Sequence, residues 1–240
     1  MTPIIAIDGP SASGKSTTAR AVARVLGFAH LDSGALYRGV TLVALTGRDG
    51  PIRSPEEIDP AHVLREAERR GLMLQFDGEG FTAYLDGMPA DAAIRSAPVT
   101  GSVSAVSAVS EIREWVNGRL RALARVGQAV VVDGRDIGTV VFPDAVLKVF
   151  LSASPETRAR RRLIQRGDPV DAARLQRETE ALTARDAADS ARAVAPLRRA
   201  PDAVALDGTV LSFAEQVDRI VRLAREALDR PPLPPLPPQR

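Results

Sequence analysis

Short apolar runs alternate with longer stretches of helical spacing along most of the chain. Ile4-Ile5-Ala6-Ile7-Asp8 is the first run, and Thr17 to Leu26 follows with helix formers at helical spacing. A brief run near Phe28 to Leu31 precedes Asp32-Ser33-Gly34. Ala129-Val130-Val131-Val132-Asp133 is β-branched and ends in a carboxylate. Ala145 to Leu151 follows a turn at Pro143-Asp144, and Ala203 to Leu206 precedes a turn at Asp207-Gly208. Runs that are apolar throughout suit strands buried on both faces. Separated by helices, they predict an α/β fold with a parallel sheet covered on both sides.

Several helix starts are marked. Ser154-Pro155 reads as an N-cap followed by proline in the first turn, and Ser212 to Glu215 as a capping box opening a last helix that runs to about Leu228. Ser110 is the expected cap of a helix through Trp115 and Leu123. Residues 72–90 break the alternation: Leu72 to Phe76, Phe81 to Leu85 and Met88-Pro89 are strand-like pieces between Gly-containing turns. They predict a small antiparallel meander inserted into the α/β core rather than a second domain. The end, residues 231–240, carries a polyproline II tract. It reads either as a frayed tail or as a ligand for a proline-binding module.

The loop between the first run and the first helix carries chemistry. Gly9-Pro10-Ser11-Ala12-Ser13-Gly14-Lys15-Ser16 is a complete G-x-x-x-x-G-K-[ST] sequence, followed by Thr17. Its strand–loop–helix setting is the one that distinguishes a phosphate cradle from a chance glycine turn. Loop N–H groups and the positive helix end would face phosphate oxygens. Lys15 would reach the β- and γ-phosphates, and the Ser16 hydroxyl would sit on Mg²⁺. Asp133, at the end of a buried run, fits the strand-end acidic position for the same metal, or else a turn cap.

Composition narrows the rest. With 240 residues, the chain can bury a substantial core in one domain. There is no Cys, which excludes disulfides, thiolate metal sites and Cys nucleophiles. Of 32 basic residues only Lys15 and Lys148 are Lys. Lys148 is expected to be a strand residue with its head in solvent. The two His, His30 and His62, lack ligand spacing and read as ordinary polar residues. A net charge of +2 and 4% aromatic content do not suggest nucleic-acid binding. With no signal-peptide pattern and no long apolar span, a cytoplasmic monomer without membrane contact is expected.

A phosphate loop serves kinases, GTPases, motors and sensors alike. No Asn-Lys-x-Asp guanine reader is present. Phosphoryl transfer between two anions needs several cations and the exclusion of water. Residues 155–192 suit an arginine-bearing lid: Arg158 and Arg162 lie i,i+4 on one helix, a polar turn follows, and a second helix leads to Arg185, Asp189 and Arg192. A solvated pair of arginine helices gives the same pattern. A kinase for some other small acceptor and a non-catalytic nucleotide sensor both remain open on this reading.

Four segments together resemble the bacterial cytidylate kinases, which phosphorylate CMP and dCMP. They are Ile7 to Ser11 with the loop, Leu31-Asp32-Ser33-Gly34-Ala35-Leu36-Tyr37-Arg38, Asp133 to Pro143, and Arg192-Ala193-Val194-Ala195-Pro196-Leu197. The resemblance spans about residues 4–228. It implies a P-loop kinase domain over 1–230, with an acceptor-binding region over 34–126 and a lid over 155–192. It further implies that Arg38, Arg135 and Arg192 clamp the CMP phosphate beside Ser33. Ser104, Arg113 and Asp136 would read the cytosine edge, and Arg185 and Asp189 would contact the ribose. Arg158 and Arg162 would embrace the transferring phosphate, with Lys15 and Arg135. Where many relatives have Gly-Lys-Gly-Thr, this chain has Gly-Lys-Ser-Thr, which supplies the metal-facing hydroxyl. Ser104 rests on its spacing to Arg113 alone. The resemblance implies ATP as co-substrate with Mg²⁺.

Overall fold

The structure, a computed structural model, describes residues 2–125 and 127–229; the proline tail lies outside the described residues. The chain opens with β1 (Ile4–Asp8), α1 (Lys15–Leu26), β2 (Ala29–Asp32) and α2 (Ser33–Ala44). Next come α3 (Pro60–Arg69), the strands β3 (Met73–Phe76), β4 (Phe81–Leu85) and β5 (Met88–Pro89), then α4 (Ala97–Val106) and α5 (Ser110–Ala124). β6 (Val130–Gly134), β7 (Leu147–Ser152), α6 (Pro155–Arg166), α7 (Ala172–Ser190), β8 (Val204–Asp207) and α8 (Phe213–Leu228) complete it.

Five strands form a parallel sheet in the order β2-β6-β1-β7-β8. Side chains alternate across it, as strand geometry requires. Ile5, Ile7, Val131, Val149 and Leu151 pack on one face against Val22 of α1 and Val217 and Ile220 of α8. Ala6, Leu31, Val130 and Val132 pack on the other against Leu36 and Val40 of α2 and Ile112 and Val116 of α5. Burial on both faces is why these strands read as unbroken apolar runs. β3, β4 and β5 form the expected antiparallel meander. Its turn is seated on the main sheet through the His30 N–H, which donates to the Glu79 carbonyl at 3.3 Å.

Two expectations need correcting. Val109, not Ser110, is the N-cap of α5; Ser110 is the first helical residue and its hydroxyl bonds the neighbouring Glu111 carboxylate at 2.7 Å. Lys148 is buried, not solvated, and its Nζ lies 2.7 Å from Asp202 Oδ2. An inner strand has no open edge, so its ammonium meets a carboxylate from the segment before β8. The caps at Ser154 and Ser212 are present, and Asp32 caps α2 through the Gly34 N–H at 2.9 Å.

Candidate active site

The carboxyl ends of β1 and β6 place the phosphate loop, Asp133, Arg135 and Asp136, and α2, α5, α6 and α7 bring the other charged groups to them. β1 ends at Asp8, and the chain turns at Gly9 so close to β7 that a Cβ there would lie 2.1 Å from the Leu151 carbonyl oxygen. No side chain fits. Ala12 (φ 58°) and Gly14 (φ 90°) adopt left-handed backbone, which wraps the loop around a point in front of α1. Lys15 opens that helix, and its Nζ donates to the Pro10 carbonyl at 3.3 Å. Burial pushes the ammonium down to about 7; the Arg135 charge adds to this, and Asp133 and Asp32 oppose it. The Ser13 and Thr18 hydroxyls in this region are buried without partners.

Ser16 Oγ donates to Asp133 Oδ2 at 2.5 Å. The other carboxylate oxygen takes His30 Nε2 at 2.8 Å, and Ser33 Oγ donates to the Asp133 carbonyl at 2.7 Å. Burial raises the Asp133 carboxyl, but the His30 hydrogen bond and charge, Lys15 and Ser16 together hold it below the ordinary range. A hydroxyl and a carboxylate are hard oxygen donors. They suit Mg²⁺, which takes one or two protein oxygens beside substrate phosphates.

Beyond the loop, arginines and carboxylates interlock. Arg113 donates to Asp136 Oδ2 at 2.5 Å and to the Ser107 carbonyl at 3.0 Å, and its guanidinium lies 5.3 Å from the centre of the Tyr37 ring. Asp189 receives Arg135 on one oxygen at 3.1 Å and Arg192 on the other at 2.5 Å. Arg135 also donates to the Gly9 carbonyl at 3.1 Å, joining this network to the loop. Arg38 donates to Thr100 Oγ1 at 3.1 Å. Burial lowers the Arg185 guanidinium to about 10, with Arg135 beside it, and its Nε has no partner. Lys15, Ser16, Ser33, Arg38, Arg113, Asp133, Arg135, Asp136, Arg185, Asp189 and Arg192 all line one pocket. Ser104 does not; its hydroxyl is buried without a partner, and Ser107 lines the pocket instead, its Oγ accepting from Arg192 at 2.9 Å. A second cavity of about 730 Å³ runs from the loop to Phe213 and Gln216 and shares Lys15, Ser16, Arg38, Arg95 and Arg135 with the first.

α6 brings Arg158 and Arg162 onto this loop from the other side. Arg158 donates to the Ser11 carbonyl at 2.9 Å and pairs with Asp186 at 2.6 Å; Arg162 reaches Ser11 Oγ at 3.5 Å and pairs with Glu178 at 3.1 Å. Asp186 Oδ1 accepts the Ser11 N–H at 3.2 Å, so α7 also touches the loop.

Sequence reasoning missed Asp8, His30, Ser107 and Asp186. Asp8 accepts the N–H groups of Ile137 and Gly138, each at 2.8 Å. Burial raises its carboxyl to about 6 against the pull of those two N–H groups. A carboxylate at the end of an apolar run was a signal for Asp8, as it was for Asp133. His30, Ser107 and Asp186 gave none, because their partners are distant in sequence.

A phosphate cradle at the carboxyl edge of a parallel sheet, flanked by an arginine-rich pocket and an arginine-bearing helix pair, defines a P-loop phosphotransferase framework. The chain belongs to the cytidylate kinase family, whose family model matches residues 5–226. It is 45% identical over 220 residues to a cytidylate kinase of Streptomyces griseus subsp. griseus, covering 91% of this chain and 90% of that protein. It is also 45% identical over 226 residues to one of Stutzerimonas stutzeri, covering 91% and 93%. A solved structure of an uncharacterized protein from Eubacterium ventriosum shares the fold alone, with TM-score 0.50 and 11% identity over 93% of this chain and 99% of that one.

Proposed function

We propose that the protein transfers the γ-phosphoryl group of ATP to CMP or dCMP, giving ADP and CDP or dCDP. The observation that carries this reading is a pair of adjoining, differently equipped cavities. Lys15, Ser16, Arg38, Arg95 and Arg135 line both. In one, Arg38, Arg135, Arg185 and Arg192 offer cations to an acceptor phosphate. Beside them, Arg113 and Asp136 form a buried donor–acceptor pair suited to a base edge. Cytosine presents an amino donor, which an ionised Asp136 accepts, and O2 and N3 acceptors, which Arg113 serves. Uracil puts a carbonyl where the amino group was, facing the carboxylate with a second acceptor. Asp189 stands beside Arg185, where a sugar hydroxyl can donate to it.

In this reading ATP occupies the cavity that leads toward Phe213. Lys15, Arg135, Arg158 and Arg162 neutralise charge on the transferring group, and the acceptor oxygen attacks in line with no covalent intermediate. Ser16 and Asp133 would hold Mg²⁺, which would supply positive charge to neutralise the ATP phosphates. Residues 34–126 serve as the acceptor-binding region, and α6 and α7 as the lid that excludes water. Ser104 stands behind the pocket wall, and we assign its neighbour Ser107 the closer place. No described helix is long and apolar enough to cross a membrane.

A coupled ADP-release assay across CMP, dCMP, UMP, AMP and GMP tests the reading. CMP and dCMP are expected to drive ATP consumption far faster than the others. ATP binding without acceptor-dependent turnover would overturn it in favour of a nucleotide sensor.

A further inference from the structure

Asp8 is the last residue of β1, and the phosphate loop begins at the next residue. Its side chain is engaged by the segment that follows β6. The two carboxylate oxygens take the N–H groups of Ile137 and Gly138, each at 2.8 Å. These open a short π-helical turn over Ile137–Val141, closed by the Val141 and Phe142 N–H groups on the Asp136 and Ile137 carbonyls at 3.2 and 2.7 Å. The first N–H groups of any helical turn lack partners within it, so an oxygen pair placed there fixes the turn. π-turns also cost more than regular helix and recur where a backbone is bent for a purpose. Gly138 leaves room for the Lys148 stem beside this clamp. A Cβ there would lie 3.4 Å from Asp8 Oδ2 and 3.1 Å from the Lys148 stem.

The residues immediately before the turn are Arg135 and Asp136. Arg135 reaches back to the Gly9 carbonyl at 3.1 Å, next door to Asp8. Asp136 is buried against Arg113. One carboxylate therefore ties the start of the phosphate loop to the segment that faces the acceptor. Burying a carboxylate is costly unless it is fully bonded, and apolar packing would hold a strand end as well. A carboxylate at this position fits a demand for direction rather than for stability.

We propose that Asp8 is a positioning residue for acceptor recognition: by clamping the Ile137 and Gly138 amides it aims the Asp136 carboxylate at the base, in register with the phosphate loop. This rests on the cytosine-reading role given to Asp136 above. Asp8→Asn keeps the shape but offers one oxygen for two amides, so one amide loses its acceptor. The Asp136 carboxylate then loses its fixed direction. CMP, which needs that direction, suffers more than UMP, which does not.

The test is steady-state kinetics with CMP and UMP on the full chain, with thermal unfolding and ATP affinity measured beside it. In Asp8→Asn the CMP KM is expected to rise about tenfold, the effect of one lost oriented hydrogen bond to a charged group. The CMP-to-UMP ratio of kcat/KM should fall by a similar factor, while ATP affinity stays within about twofold. In an Asp136→Asn background, Asp8→Asn should no longer move the ratio, since the group it aims is gone. An unchanged ratio in folded Asp8→Asn, or the same ratio shift in the Asp136→Asn background, overturns the proposal and leaves Asp8 a structural residue. Should Asp8→Asn lack a cooperative unfolding transition, Asp8→Glu keeps both acceptor oxygens but displaces them on a longer stem, and an unchanged ratio there overturns the proposal equally. Wild-type protein without CMP-dependent turnover would overturn the functional reading itself, and this inference with it.

Discussion

Lys15 is an ammonium where burial works against a charge, and its pKa falls to about 7 as a result. On the proposed reading, bound phosphates would reverse that pressure. Only Lys gives a compact point charge on a stem of this length; the guanidinium of Arg is larger and forked. Lys15→Ala and Lys15→Arg are both expected to lose at least about a hundredfold in kcat, the usual scale for one oriented donor on a developing charge. Circular dichroism should show an intact fold. Near wild-type kcat in Lys15→Arg would remove Lys15 from the transferring phosphate. Asp136 makes the opposite case, a carboxylate whose partner is fixed. Asp136→Asn can turn its amide to donate to a uracil carbonyl. The ratio of kcat/KM for CMP over UMP should narrow, chiefly through lost CMP activity, with ATP affinity retained. Loss of ATP binding with base choice preserved would move Asp136 toward the metal instead.

Among the elements, α6 separates two arginines that look equivalent in sequence. Arg158 is 3% exposed and holds the Ala153 carbonyl, the Ser11 carbonyl and Asp186 at once. Arg162 is more exposed and meets Ser11 only at 3.5 Å. Arg162→Ala is therefore expected to lower kcat more than it raises the CMP KM, with little change in Tm. Arg158→Ala should lower kcat and also lower Tm, since it leaves Asp186 with only the Ser11 N–H; because Asp186 is partly exposed, the loss should fall below the about 3–5 kcal/mol of a fully buried pair. Equal Tm values in the two variants would contradict this division. The same contrast shows what a sequence can and cannot disclose. Strands, turns and the phosphate loop are encoded by neighbours, so apolar runs and Gly9 to Ser16 were readable directly. The i,i+4 spacing put Arg158 and Arg162 on one face correctly, but their different burial depends on α7, which periodicity does not dock. Asp133 was legible as a strand-end carboxylate. Its partner His30 was not, because strand order sets β2 beside β6, and nothing local reports that order. Lys148 and Ser110 were misread for different reasons: the ammonium finds Asp202 across 54 residues, whereas the hydroxyl bonds the adjacent Glu111 instead of capping.

At the scale of the whole molecule, the site weakens the fold that carries it. Lys15 titrates near 7 in the folded chain against 10.5 when free. Below pH 7 both states carry the proton, and the fold bears the full cost of a buried charge. Between the two values the unfolded chain binds more protons than the folded one. Stability therefore rises with pH across that window and levels off near the free value. Asp8 runs the other way, since its carboxyl is raised to about 6 from 3.8: stability drops as pH rises between those values. Above pH 6 that second effect is complete, which leaves Lys15 separable. Lys15→Met removes the charge and keeps a similar stem. At pH 6.5 it is expected to be more stable than wild type by a few kcal/mol, because each tenfold loss of proton affinity on folding corresponds to about 1.4 kcal/mol. The advantage should shrink steadily as the pH is raised to about 9.5, because the wild-type amine is then neutral in the fold. Urea unfolding at the two pH values reads the difference directly. A catalytic group that costs stability is the expected pattern where activity needs a strained site. A stability gap that did not change with pH would show that the Lys15 amine is not held out of its usual range, and that the loop tolerates its charge without a bound phosphate.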